Sequence, residues 1–345
     1  MRALTISAHG GLEQIEYRED VPTPTPAAGE VRIRVHAVAL NRLDLWTVGG
    51  LPGVTITPPW VLGADGMGTV DAVQGDVGDV RVGDRVVINP GLSCRRCEWC
   101  LKGEHPLCVK FGVLGEHRQG SFAEYVVVPA INVRRIPDSV PDEIAAAFTL
   151  ATLTAWRMCV SRASVKAGED VLIWGIGGGV SQAALRICKQ RGARVWVTSS
   201  SQQKLDAAQA MGADVLINHA TEDVGKLIRE RTQKRGVDVV IESVGERTWH
   251  ASLQSLARGG RLVTCGGTSG PSLTMDVRRL FWYQWSIMGS TMGNDAEFEA
   301  ITAELAAGRL WPTVDAVLPL SEGREAFARM QRGEQFGKLV LQVSE

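Results

Sequence analysis

Four cysteines, Cys94, Cys97, Cys100 and Cys108, fall in one stretch with the spacing C-x2-C-x2-C-x7-C. Four thiolates this close can surround a single tetrahedral cation, and Zn²⁺ matches both sulfur ligands and that geometry. A site with all four positions filled by protein leaves no place for water or substrate. Its expected role is to brace a lobe of about residues 90–110, so the chemistry must come from elsewhere. Two disulfides are the alternative use of the same residues, and they suit small secreted chains. The segment Met1–Gly10 is neither apolar nor long enough for a secretory leader. A chain of 345 residues can also bury a core without covalent staples. One structural zinc per chain is therefore expected, in a cytoplasmic protein. Cys159, Cys188 and Cys265 lie scattered in apolar stretches and read as small buried side chains.

A second pattern concerns phosphate. The apolar run Asp170–Gly175 leads into Gly175, Gly177, Gly178, Gly179 and Val180, and a helix pattern follows at once. Glycines between a strand and a helix let backbone approach a pyrophosphate, whose charge is met by helix N-terminal amides. The match to G-x-G-x-x-G is imperfect. Counted from Gly175 the third glycine falls on Val180; counted one residue later it falls on Ser181. Ser181 must then fit where glycine usually lets helix and strand pack closely.

The end of the next strand selects the cofactor. An acidic residue there binds the ribose 2′-hydroxyl of NAD. This chain has Ser199, Ser200 and Ser201 followed by Lys204, a group that attracts a 2′-phosphate. NADP(H) is expected, with NAD(H) as the alternative. Gly266 and Ser290, beyond two later strands, complete the candidate cofactor contacts.

The elements that must position these groups have two rhythms. Up to about residue 130, short strands such as Glu30–Leu40 alternate polar and apolar residues between Gly, Pro and Asp turns, as in an all-β barrel or sandwich. From about residue 165, continuous apolar strands alternate with helices, which implies a parallel sheet covered on both faces. The run from Ser286 is its expected last strand. A helix, a break at Trp311–Pro312, a second helix near residues 321–333 and a strand from Lys338 then return to the first half. The fold class is α/β: a doubly wound sheet plus a β-rich domain. Net charge is −1 and no apolar run spans a bilayer, so neither nucleic acid nor a membrane is an expected partner.

On the cysteine lobe, Gly63–Val70, Leu153–Trp156, the 175–181 turn and Gly337–Leu341, the chain resembles the medium-chain dehydrogenase/reductase superfamily over nearly its whole length. That superfamily includes zinc alcohol dehydrogenases and quinone reductases. The resemblance implies a GroES-like catalytic domain over residues 1–130, a Rossmann domain over 131–295, and a return segment over 296–345. It also implies homodimers formed by pairing the last Rossmann strands edge to edge, with homotetramers as the alternative.

Zinc alcohol dehydrogenases of this kind bind a second, catalytic zinc through cysteine, histidine and cysteine. The matching positions here are Asn41, Ala64 and a residue near Leu150, and of the first motif only Asp44 survives. These residues cannot make a thiolate–imidazole–thiolate site. A metal on Asp44, Asp65 and a histidine such as His117 is the alternative. Reducing an isolated carbonyl builds a localised alkoxide that a Lewis acid stabilises. A conjugated acceptor spreads that charge, so quinones and α,β-unsaturated carbonyls are the expected substrates. The resemblance to the zinc-less quinone reductases, which carry an asparagine at the Asn41 position, points the same way. Asn41 is expected to donate to the substrate oxygen or the nicotinamide, Asp44 to orient that loop, Thr154 to contact the nicotinamide, and Lys338 to reach the cofactor. Trp46, Trp282 and Trp285 are candidate aromatic walls or packing residues. Two competing readings are an NAD(H) alcohol dehydrogenase with an atypical metal site and a non-catalytic NADPH-binding protein.

Overall fold

In the computed structural model, which describes residues 1–343, the chain divides into two compact units. One comprises Met1–Leu153 with the stretch from Gly293 onward, and the other Thr154–Met292. No helix among the described residues is long and apolar enough to cross a membrane.

The first unit is organised around the strand Glu30–Ala39. Its alternation decides its faces: Val31, Ile33 and Val35 are fully buried, while Arg34 is exposed and Arg32 pairs with Asp71. The alternation stops at Ala37, Val38 and Ala39, all fully buried. The register explains why. Lys338–Gln342 pairs antiparallel over this end, with Val340 opposite Ala39 and Gln342 opposite Ala37. On the other side Asp65–Gln74 pairs antiparallel, with Asp65 opposite Ala39. Asp65, the Leu40–Asn41 turn and Lys338 are thereby set on three neighbouring strands. The main sheet runs Val133–Arg135, Arg85–Ile88, Asp65–Gln74, Glu30–Ala39, Lys338–Gln342, Val314–Pro319, with Tyr125–Pro129 also paired to Glu30–Ala39.

Two expectations shift here. The domain boundary expected near residue 130 lies at 153/154, because Val133–Arg135 pairs with Arg85–Ile88 and extends the first sheet. The strand Val314–Pro319 was hidden in the sequence behind the Trp311–Pro312 break. It runs parallel to Lys338–Gln342, joined to it through the helix Gly323–Arg332.

In the second unit six strands form one parallel sheet in the order Val215–Asn218, Arg194–Ser199, Asp170–Ile173, Val237–Glu242, Leu256–Thr264, Ser286–Gly289. Numbered along the chain this is 3-2-1-4-5-6, the doubly wound order. The apolar runs are buried as a fully covered sheet requires: Leu172, Trp196, Ile217, Val240 and Leu262 belong to one core cluster. The helix Gly179–Gln190 buries Ser181, Ala184, Leu185 and Cys188, one helical face. Chain order reverses between Asp170–Ile173 and Val237–Glu242. Ligands of such sheets bind outside the carboxyl ends at that switch point, and the glycine turn begins there.

Candidate functional site

Asn41 ends the extended run of Glu30–Ala39 and stands at the N-cap of the helix Arg42–Gly49. Its side chain is turned into a buried cluster. Lys338 Nζ donates to Asn41 Oδ1 at 2.6 Å, to Leu40 O at 2.7 Å and to Asp65 Oδ2 at 3.0 Å. Asn41 Nδ2 donates to Asp65 Oδ2 at 2.9 Å and faces Ala39 O at 3.4 Å. The other carboxylate oxygen, Asp65 Oδ1, accepts from Thr149 Oγ1 at 2.6 Å and from the Leu150 N–H at 2.7 Å. Those two donors open the helix Thr149–Trp156, where a carboxylate is favoured. The Lys338–Asp65 pair is almost wholly shielded from water, with side-chain exposures of 4% and 0%.

The geometry redirects one residue. An ammonium has three protons, and each of Lys338's three is taken within this unit. The expectation that Lys338 reaches the cofactor therefore gives way to a lysine that cross-links the sheet. Asp65 is likewise saturated by four donors, which removes it from the atypical metal set of Asp44, Asp65 and His117. His117 is exposed, and its Nδ1 accepts from the Val113 N–H at 3.2 Å. Among the described residues, the group of three or more His, Cys, Asp or Glu whose ligand atoms converge is the cysteine lobe.

Asp44 lies in the first turn of Arg42–Gly49, and its Oδ2 accepts the Asn41 N–H at 2.6 Å, fixing the start of that helix. Burial pushes its carboxyl up to about 7, against the lowering effect of that N–H and of Lys338. Glu116 adds negative charge, and burial raises its own carboxyl as well. Trp46 is half-buried on the same helix. Sequence patterns did not single out Arg42. Arg42 is exposed and has no hydrogen-bond or ion-pair partner among the described residues. A cation directly after Asn41 was the available signal.

In the second unit the glycine turn is held by hydroxyls. Gly175 sits at φ 66°, which suits glycine, and its N–H meets Thr198 Oγ1 at 3.2 Å. Gly178 is the N-cap of the helix that starts with Gly179 and Val180. Gly177 and Gly179 are partly exposed. Ser181 Oγ lies 2.7 Å from Gly175 O and 2.9 Å from Gly178 O. The residue that departs from the glycine fingerprint thus ties the turn together.

Ser199 is buried, and its Oγ accepts the Ser201 N–H at 3.1 Å. Ser201 caps the next helix by accepting the Lys204 N–H. Ser200 is exposed and Lys204 half-buried. Thr154 is buried with Oγ1 3.7 Å from Met292 Sδ. Gly266 O accepts from Thr264 Oγ1 at 3.1 Å. Among the described residues Ser290 Oγ is buried without a partner, as is the side-chain amide of Gln182. A buried polar atom left unpaired calls for an explanation. Gln182, a polar residue on the apolar face of the Gly179–Gln190 helix, went unread in the sequence. Trp285 packs in the core with its Nε1 on Ala257 O at 2.9 Å, whereas Trp282 is 67% exposed.

The lobe sits on a small antiparallel pair, Gly91–Leu92 with Gly112–Val113. All four cysteine sulfurs lie within 4.8 Å of one another, with Cys97–Cys100 at 3.6 Å and Cys94–Cys100 at 4.0 Å. Tetrahedral zinc with Zn–S of about 2.3 Å requires sulfurs about 3.8 Å apart, so the donor set fits one ion. Backbone N–H donors, foremost that of Cys100, bring the Cys97 thiol down to about 6, which favours the metal-binding thiolate. Burial pushes Cys100 up to about 11. Arg95, within the knuckle, pairs with Asp295 of the return segment, whose N–H also meets His105 Nδ1 at 3.4 Å.

Comparison with known proteins agrees with this layout. Residues 27–138 match the alcohol dehydrogenase GroES-like domain, and residues 179–307 match the zinc-binding dehydrogenase family. The chain is 33% identical to an L-threonine 3-dehydrogenase of Anaeromyxobacter sp. (strain Fw109-5), over 99% of both chains. It is 30% identical to a crotonyl-CoA carboxylase/reductase of Cereibacter sphaeroides, covering 96% of this chain and 84% of that one. A crystal structure of an NAD-dependent alcohol dehydrogenase superposes with a TM-score of 0.95 at 43% identity, over 100% of both chains. With a GroES-like unit, a doubly wound unit and these relatives, the chain belongs to the medium-chain dehydrogenase/reductase superfamily and is an oxidoreductase of that family.

Proposed function

We propose that the protein reduces a conjugated acceptor, a quinone or an α,β-unsaturated carbonyl compound, with NADPH and without a catalytic metal. The observation that carries this reading is the filled cluster at Asn41. The positions that the resemblance matches to the catalytic-zinc ligands are Asn41, Ala64 and a residue near Leu150, and Asp65 and Lys338 join the Asn41 amide to the Leu150 N–H through their hydrogen bonds. The bound dinucleotide supplies the hydride. Gly175, Gly177, Gly178 and Gly179 and the helix they open would hold its pyrophosphate, with Ser290 and Thr154 as further contacts. Asn41 Nδ2 meets the acceptor oxygen, and Asp44 holds the Asn41 backbone. A single neutral donor suits a delocalised enolate or hydroquinone anion better than a localised alkoxide. The relative named for crotonyl-CoA, a conjugated thioester, lends support. One zinc per chain in the cysteine lobe completes the protein.

A specific observation favours a second reading of the cofactor. Ser199 and Ser201 are engaged in their own turn, and one relative is an NAD-dependent alcohol dehydrogenase; NAD(H) is the alternative. We also propose a homodimer through Ser286–Gly289. This strand has one sheet neighbour, and the adjoining helix exposes Val277, Phe281 and Trp282 at 62%, 64% and 67%, a surface prone to pairing. Sedimentation of the intact chain tests it.

Steady-state assays with NADPH and NADH, on 1,4-quinones, enones and enoyl thioesters beside simple aldehydes, decide the function. Turnover confined to conjugated acceptors, with one zinc per chain, is expected. Chelator-sensitive oxidation of primary alcohols with two metals per chain overturns it.

A further inference from the structure

We propose that Asp65 and Lys338 are positioning residues whose buried ion pair fixes the Asn41 side-chain amide in one orientation and leaves a single Nδ2 hydrogen to serve a ligand. This rests on the reading of Asn41 as the acceptor-facing donor. A primary amide is close to symmetric in shape, and its neighbours decide which end is oxygen. Here the neighbours have opposite charge. The Lys338 ammonium stands 2.6 Å from Oδ1 and the Asp65 carboxylate 2.9 Å from Nδ2. The flipped amide would set N–H against ammonium and carbonyl against carboxylate, both repulsive at low dielectric. One Nδ2 hydrogen is held by Asp65. The other faces Ala39 O at 3.4 Å, beyond the 2.7–3.2 Å span of good N–H···O bonds, and it is the hydrogen the cluster can give.

The cost of the arrangement supports a role beyond holding the sheet. Taking an ammonium and a carboxylate out of water is expensive, and an apolar pair of similar volume often supports a fold as well or better. The pair also gathers four separated stretches, at Leu40–Asn41, Asp65, Thr149–Leu150 and Lys338. Asn41 is anchored to all of them through the two charges.

The test uses the full-length, zinc-loaded protein. In the double variant Asp65→Leu/Lys338→Met the charges are replaced together by apolar side chains. Cooperative unfolding and NADPH binding are expected to persist, while kcat on the best acceptor falls about 100-fold, the scale of losing one preorganised donor, with KM little changed. A double variant that keeps kcat within about threefold of the parent overturns the proposal. A second measurement needs neither substrate nor a refolded double variant. In the ¹H–¹⁵N spectrum of the parent protein, the two Asn41 Nδ2 protons are expected to exchange with water at rates differing at least about tenfold, and Lys338→Gln is expected to bring them together. Equal rates in the parent overturn the proposal. If the parent reduces none of the acceptors, the functional reading falls, while the exchange rates still decide the positioning claim.

Discussion

The first unit holds two convergent side-chain clusters of different chemistry. In the lobe, four sulfurs converge to suit one ion, and little apolar core lies beneath them: Leu101 and Val109 are 77% and 73% exposed. At Asn41 stretches far apart in the chain are joined by one ammonium, one carboxylate and an amide, all buried in the main sheet. Coordination binds tightly with little supporting core, whereas a hydrogen-bonded ion pair needs a dry, prebuilt frame to be strong at all. The two sites should therefore fail under opposite insults: the lobe to chelators, the cluster to loss of one charge.

The largest effect is expected at the lobe. Structural zinc sites of this type are worth roughly 10–16 kcal/mol of binding free energy in small peptides. Cys97→Ser, or a strong chelator, should empty the lobe of zinc and release amide protection over residues 91–113 in hydrogen exchange. Protection at Asn41 and Lys338 should be little changed. Equal loss in both regions would show that the lobe governs the whole unit.

Next comes the unpaired charge. Asp65→Ala leaves the Lys338 ammonium buried without its carboxylate, which should cost about 3–5 kcal/mol of unfolding free energy in denaturant titrations. Chelator should add nothing specific to this loss. A cost below about 1 kcal/mol would mean that water enters the cluster and the pair behaves as an exposed one.

The acid side of the cluster should be visible in pH. Asp44 is buried with its carboxyl raised to about 7, against about 3.9 in an unfolded chain. Between those values the folded state binds more protons than the unfolded one, so stability falls as pH rises through this window. The shift of about three units corresponds to at most about 4 kcal/mol. Glu116, also raised by burial, acts in the same direction. Asp44→Asn keeps an acceptor for the Asn41 N–H and removes the titration. It should flatten the stability profile between about pH 4 and 7 and be the more stable protein above it. An unchanged profile would move the effect to Glu116, which Glu116→Gln then isolates.

These regions differ in how openly the sequence displays them. The lobe was legible because its ligands sit within 15 residues and thiol spacing carries the geometry by itself. The doubly wound unit was legible because each strand is a short apolar run with its own helix behind it. The cluster was not. Asn41, Asp65, Thr149 and Lys338 lie far apart in the chain, and only the register of three strands brings them together. Lys338 in particular reads as a cation on a strand end. Its burial follows from pairing opposite the Asn41 turn, which no local pattern encodes. The strand Val314–Pro319 was missed for a related reason: it is partly exposed and lacks an apolar run.

The smallest expected effect lies in the second unit, where a tie with neither metal nor net charge completes the series. The Ser181 hydroxyl reaches Gly175 O and Gly178 O across the glycine turn. A neutral hydrogen bond of this kind contributes about 0.5–1.5 kcal/mol. Ser181→Ala should therefore lower stability by about that amount and weaken binding of the nicotinamide dinucleotide by roughly 3- to 10-fold, the same free energy read as a dissociation constant. Ser181→Gly restores the residue usual in the fingerprint but loses the same bond, and glycine in a helix costs about a further 1 kcal/mol relative to alanine. If the hydroxyl is the reason for serine, both variants bind the reduced dinucleotide, NADPH or NADH, more weakly than the parent, measured by fluorescence titration. If Ser181→Gly binds more tightly, the close helix–strand approach matters more than the tie, and the serine is a compromise in packing.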